Sequence, residues 1–161
     1  MDIRANKKML VLRYSPYKKY DFIHEHEKII DKYGCVWLLK LGKPVPDIAL
    51  KEILEGDSGL ILKAPKKDGG SYYYCHMLSA QNTNVKREMR YPDYYNELMN
   101  ELYWYSFTGT WIKIKKFILL EPDEIKHLKL VSNNKDLVEV LGQTRTTMLY
   151  AYSDNDLILK N

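Results

Sequence analysis

The sequence predicts an α+β fold, a small mixed β-barrel of five to six strands with flanking helices, in a single domain over residues 1–161. Three observations lead there. A chain of 161 residues is the size of one ordinary domain and long enough to bury one sizeable core. With 45% hydrophobic and 29% charged residues it is globular rather than disordered. Short apolar runs alternate along it with segments of helical period and with turn residues.

Lys8–Tyr14 (KMLVLRY) is a short apolar run suited to a buried strand, and Ser15–Tyr20 follows as a turn. Asp21 then caps a helix to about Tyr33, because Phe22, His26, Ile29, Ile30 and Tyr33 fall on one helical face. Gly34 closes that helix. Cys35–Leu41 (CVWLLKL) is apolar on both alternating sets, as a central strand covered on both faces requires. Gly42–Pro46 breaks the pattern, Asp47 caps a short helix to Glu55, and Gly56 ends it. Gly59–Ala64 is the next strand, PKKDGG a hairpin-type turn and Ser71–Leu78 the returning partner. Residues 80–91 are polar and read as a loop. Tyr91–Tyr103 is helical after Pro92, Thr110–Leu119 is a strand, and Pro122–Leu130 and Lys135–Leu141 are short helices. Thr146–Tyr152 is the last strand.

On the returning strand of the hairpin, alternation puts Tyr73, Cys75 and Met77 on one face and Tyr72, Tyr74 and His76 on the other. The first set suits a core. The second, aromatic with polar tips, suits a ligand wall. The strand at Trp111 repeats the device, with Ile112 and Ile114 pointing one way and Trp111, Lys113 and Lys115 the other. One aromatic and two lysines on a face serve bases and phosphates together. The same face also suits a Trp covered by a neighbouring helix.

The net charge is +4, unevenly spread. Residues 1–90 carry 17 Lys and Arg against 11 Asp and Glu, and residues 91–161 carry 8 against 10. The front half would bear any footprint for a polyanion. Lys66 and Lys67 at the hairpin tip, and Lys86, Arg87 and Arg90 in the polar loop, are the candidate phosphate contacts.

Other chemistries find little purchase. His24 and His26 in HEH lie i and i+2 on a helix, about 200° apart, so they do not grip one metal ion. The cysteines Cys35 and Cys75 sit in apolar strands without ligand spacing, which favours buried free thiols. Gly56-Asp57-Ser58-Gly59 has the letters of a serine-protease loop but reads better as a helix stop and strand start. No cofactor motif and no catalytic set stands out. The run Met9–Leu12 is too short for a signal-peptide core, and no run approaches the roughly 20 apolar residues of a membrane span. The expected location is the cytoplasm, without membrane attachment.

Three segments resemble the PUA-like superfamily in its EVE, YTH and ASCH-type branches. Lys32–Pro44 (KYGCVWLLKLGKP) is similar to an early strand with a central Trp, and Ile53–Lys63 (ILEGDSGLILK) to a helix, Gly-Asp and apolar strand step. Trp111–Tyr152 resembles a closing strand, a short helical segment and a final strand after an Arg-containing loop. The resemblance implies a PUA-like barrel flanked by helices and binding of RNA or DNA, with a modified or flipped base taken into an aromatic pocket. Trp37 then matches the early-strand Trp and Arg145 the basic residue before the last strand. Trp104, Trp111 and Tyr74 are pocket candidates by residue type. An ASCH-like relative would instead sense or hydrolyse a nucleotide derivative.

The leading expectation is therefore a non-enzymatic nucleic-acid-binding module. The runner-up is a protein-interaction subunit, as in a phage or defence system. Its contact surface would be the Tyr91–Tyr105 segment, since Tyr, Trp and Met are enriched at interfaces.

Overall fold

A computed structural model of the chain describes residues 2–82, 88–102, 109–146 and 148–161. Along it run β1 (Asp2–Ile3), β2 (Met9–Arg13), α1 (Phe22–Tyr33), β3 (Val36–Leu41), α2 (Asp47–Glu55), β4 (Gly59–Lys63) and a 3-10 turn (Lys66–Asp68). Then come β5 (Tyr72–His76), β6 (Ser79–Gln81), α3 (Tyr94–Leu102), β7 (Gly109–Ile114) and β8 (Ile118–Leu119). The chain ends with α4 (Pro122–Ile125), β9 (Leu128–Leu130), α5 (Leu137–Gln143), β10 (Met148–Ser153) and β11 (Leu157–Ile158). The fold is α+β. Its strands form three sheets, none of them closed into a barrel among the described residues. No helix among them is long and apolar enough to cross a membrane.

The chain divides into two compact units. Unit 1 is Met1–Ser15, Glu52–His76 and Phe117–Asn161, and unit 2 is Pro16–Lys51 and Met77–Lys116.

Unit 1 holds a six-stranded sheet in the order β8-β5-β4-β2-β10-β9, with β1 and β11 paired beside it as a two-stranded ribbon. Among the described residues only β2 and β4 run parallel, and every other pair in this unit is antiparallel. Met9, Val11, Ile61, Tyr72, Tyr74 and Ile118 build the core, joined by Leu128, Ala151 and the i, i+4 pair Leu137 and Leu141 of α5. Gly59 opens β4 because nothing larger fits: a Cβ there would run into the carbonyl oxygen of Cys75 on β5. At α4 the Glu124 carboxylate is buried yet satisfied. It accepts the Glu121 N–H at 2.8 Å and the Lys160 N–H at 3.2 Å, closing a capping box and tying down the C-terminal residues.

Several expectations change here. The expected faces of β5 are reversed for its tyrosines: Tyr72 and Tyr74 are core residues, while Tyr73 is half-buried edge-on to Phe117 at 6.3 Å. Cys75 and Met77 are buried as well, so β5 is covered on both sides, and a polar tip on an aromatic ring does not mark the outer one. The expected strand Thr110–Leu119 is two strands, interrupted at Lys115–Phe117. The expected helix Pro122–Leu130 stops at Ile125, and Leu128–Leu130 pairs with β10 instead.

Unit 2 is a three-stranded antiparallel sheet, β3-β7-β6, with α1, α3 and the first part of α2. Helix α1 carries the expected caps. The Asp21 carboxylate accepts the His24 N–H at 3.0 Å, and Gly34, at φ 84°, donates its N–H to Ile30 at 2.7 Å. The β3–β7 register sets Trp37 opposite Lys113 and Leu39 opposite Trp111, so these four side chains share one sheet face. Val36, Leu38, Ile112 and Ile114 share the other, all buried.

Candidate functional site

The shared face of β3 and β7 is where unit 2 concentrates its aromatic residues. Trp37, Trp111, Tyr94, Tyr95 and Met89 form a buried cluster, with Tyr17, Tyr20, Leu39, Tyr91 and Met99 packed against it. Tyr20 stacks on Tyr94 at 4.8 Å and Tyr91 on Tyr95 at 5.8 Å, and the edge-to-face pair Tyr94–Tyr95 at 5.0 Å joins the two stacks. Tyr91 also lies 5.5 Å from Trp111. This packing explains why Trp111 has no exposed surface and Trp37 only 9%. The Trp111 indole nitrogen is buried with no acceptor among the described residues.

Behind the tyrosines lies a buried polar chain. His26 Nδ1 sits 2.7 Å from the Phe22 carbonyl and therefore carries the proton; Nε2 accepts the Tyr95 hydroxyl at 2.5 Å. The Tyr95 oxygen in turn accepts the Leu39 N–H at 3.3 Å. Burial holds the His26 imidazole neutral, with its pKa pushed down to about 4, and pushes the Tyr95 phenol well up. Sequence reasoning placed His26 on the apolar face of α1 and missed Tyr95 as its partner. The two lie 69 residues apart, and no local pattern joins them.

A cleft of about 350 Å³ opens beside this cluster, lined by Lys28, Lys32 and Tyr33 of α1 and by Arg90, Tyr91, Asp93 and Asn96 on the approach to and within α3. Tyr33 is 45% exposed. The Arg90 guanidinium lies 5.0 Å and the Lys32 ammonium 5.2 Å from its ring centre. Lys28 is held by Glu25 at 2.6 Å. Unit 2 also carries the net charge of the whole chain: 13 Lys and Arg against 9 Asp and Glu, where unit 1 has 12 of each.

The residues singled out from sequence thus divide. Trp37, Trp111, Lys113, Lys115 and Arg90 belong to unit 2; Trp37, Trp111 and Lys113 share its aromatic face, Lys113 half-buried, while Lys115 is exposed beyond the end of β7. Arg90 reaches the cleft. Trp104, Lys86 and Arg87 lie outside the described residues, as does the end of the Tyr91–Tyr105 segment that follows α3. Tyr72, Tyr74, His76, Lys66, Lys67 and Arg145 belong to unit 1. There His76 Nε2 pairs with Asp57 at 2.7 Å, and Tyr72 and Tyr74 are buried in the core. Lys66 and Lys67 are exposed on the 3-10 turn, and Arg145 is exposed after α5. Tyr33, Lys28 and Lys32 were not anticipated. The signal was present as an aromatic among lysines at the end of α1, read as part of its apolar face.

No family model, no curated protein and no solved structure matches this chain.

Proposed function

We propose that unit 2 is a non-enzymatic nucleic-acid-binding module in which a single-stranded or flipped base stacks in the cleft of Tyr33 and Tyr91. Arg90 and Lys32 flank the ring, and Lys28 stands beside them for the phosphates. The observation that carries this reading is the cleft itself: an exposed tyrosine with the Arg90 and Lys32 cations over its ring, beside a packed aromatic cluster, on the unit that holds all the net charge. Tyr91, packed on Tyr95 and Trp111, offers a wall that loses little ordering entropy on binding. The PUA-like relation and its barrel are part of the proposal, carried by the three sequence segments alone, and a modified base is the finer form of it.

The test is fluorescence anisotropy with labelled single-stranded RNA and DNA across a salt series. Affinity should fall steeply with salt, and Tyr33→Ala should weaken it by about 1–3 kcal/mol while leaving the fold intact, since the side chain is largely exposed. Absence of binding to any oligonucleotide at low salt refutes the proposal. Trp111, being fully buried, is the wrong residue for that test.

A further inference from the structure

We propose that Arg13, Lys63 and Lys66 of unit 1 form a phosphate-binding site at the carboxyl end of the parallel pair β2–β4. The parallel register sets Arg13 directly beside Lys63. Both are half-buried, and neither they nor Lys66 has a carboxylate at ion-pair distance among the described residues. Unit 1 has as many acids as bases, yet even Asp68, on the same turn as Lys66, forms no ion pair with them among the described residues. The guanidinium of Arg13 is held in place by backbone carbonyls: Nη2 donates to Leu141 and, at 2.8 Å, to Thr144, and Nε donates to Thr146 at 3.4 Å. These bonds leave Nη1 without a hydrogen bond to the described residues. The Lys63 ammonium donates to the Gly70 carbonyl and stands 4.4 Å from the centre of the Tyr72 ring.

Two positioned, half-buried cations side by side repel each other, and the repulsion is largest where water is partly excluded. Consistent with that, the Lys63 pKa is held below the usual lysine range by burial, then by Arg13 and Lys66. An anion between them removes the penalty. Phosphate fits best, because the free Nη1 group of Arg13 and two ammonium groups together offer donors for several oxygens of one tetrahedral group. The site was not legible in sequence, since Arg13 and Lys63 are far apart there and only the parallel register brings them together. The phosphate could belong to a nucleic-acid strand or be free.

The experiment is amide NMR of the full chain, titrated at constant ionic strength with inorganic phosphate and, separately, with a 5′-phosphorylated single-stranded oligonucleotide; chloride is the control. Saturable shifts are expected at the amides of Arg13, Lys63, Ser71 and Tyr72. Lys63→Gln should weaken the titration about tenfold or more. Lys66→Gln, an exposed substitution that leaves the core untouched, should weaken it less, and Lys126→Gln should leave it unchanged. Saturation by inorganic phosphate assigns the site to free phosphate; saturation by the oligonucleotide alone assigns it to a strand phosphate. Shifts that chloride reproduces, or none at these amides with either ligand, overturn the inference. Shifts at Tyr33, Arg90 and Tyr91 report on the unit 2 cleft separately, so either site can fail alone.

Discussion

Lowering the pH should destabilise this protein through one residue, His26. In the folded state its imidazole is fully buried and neutral, with a pKa of about 4; in the unfolded chain it titrates near 6.5. Its folded pKa is depressed, so its stabilising contribution is complete above the unfolded value and is lost as the pH falls through 6.5 toward 4. At pH 5 the unfolded chain is mostly protonated at this site and the folded chain is not, and the imbalance is worth about 2 kcal/mol. For a chain of this size that is roughly 4–8 °C in thermal midpoint. The control is His26→Gln. Its amide nitrogen can donate to the Phe22 carbonyl and its amide oxygen can accept from Tyr95, but it cannot take up a proton. Thermal denaturation by circular dichroism at pH 7.5 and 5.0 should show the variant starting lower and falling less, the two drops differing by that roughly 4–8 °C. Parallel drops would refute the reasoning, because the acid sensitivity would then come from other groups.

Three further outcomes test the packing. Trp111→Ala should cost about 3–5 kcal/mol, a fall of roughly 6–20 °C in thermal midpoint, because it empties the middle of the unit 2 cluster. Gly59→Ala should cost at least about 3 kcal/mol in urea denaturation, since the new methyl meets backbone on β5 rather than a side chain that can turn away. Glu124→Ala leaves the amides of Glu121 and Lys160 without their acceptor; a loss of about 1–3 kcal/mol is expected, with faster hydrogen exchange at both amides.

Features that rest on local rules were readable from the sequence, and those that rest on register were not. The span of α1 follows from Asp21, Gly34 and the spacing between them, and the β4–β5 hairpin from its glycine turn. Strands of two or three residues, such as β1 and β9, are too short to show a period and exist only because a longer partner accepts them. Alternation located the two faces of β5 correctly but could not say which was inner, because both are covered and tyrosine serves either environment. At the candidate site the aromatic residues were visible as letters. Their burial was not, and that moved the expected contacts from Trp37 and Trp111 to Tyr33 and Tyr91.

The parallel pair β2–β4 has a consequence for how the chain comes to be folded. Residues 14–58 must be traversed between its two strands, and residues 77–117 between β5 and β8, its neighbour in the sheet. The central ladder of unit 1 therefore closes two long excursions, and the β3–β7 ladder of unit 2 joins one excursion to the other. Closing such loops costs entropy before any contact rewards it. The hairpin β4–β5 can form at once from neighbouring residues, whereas β2 must wait for the first excursion to come back. Refolding of this protein is therefore expected to be limited by the closure of these long excursions rather than by the local β4–β5 hairpin.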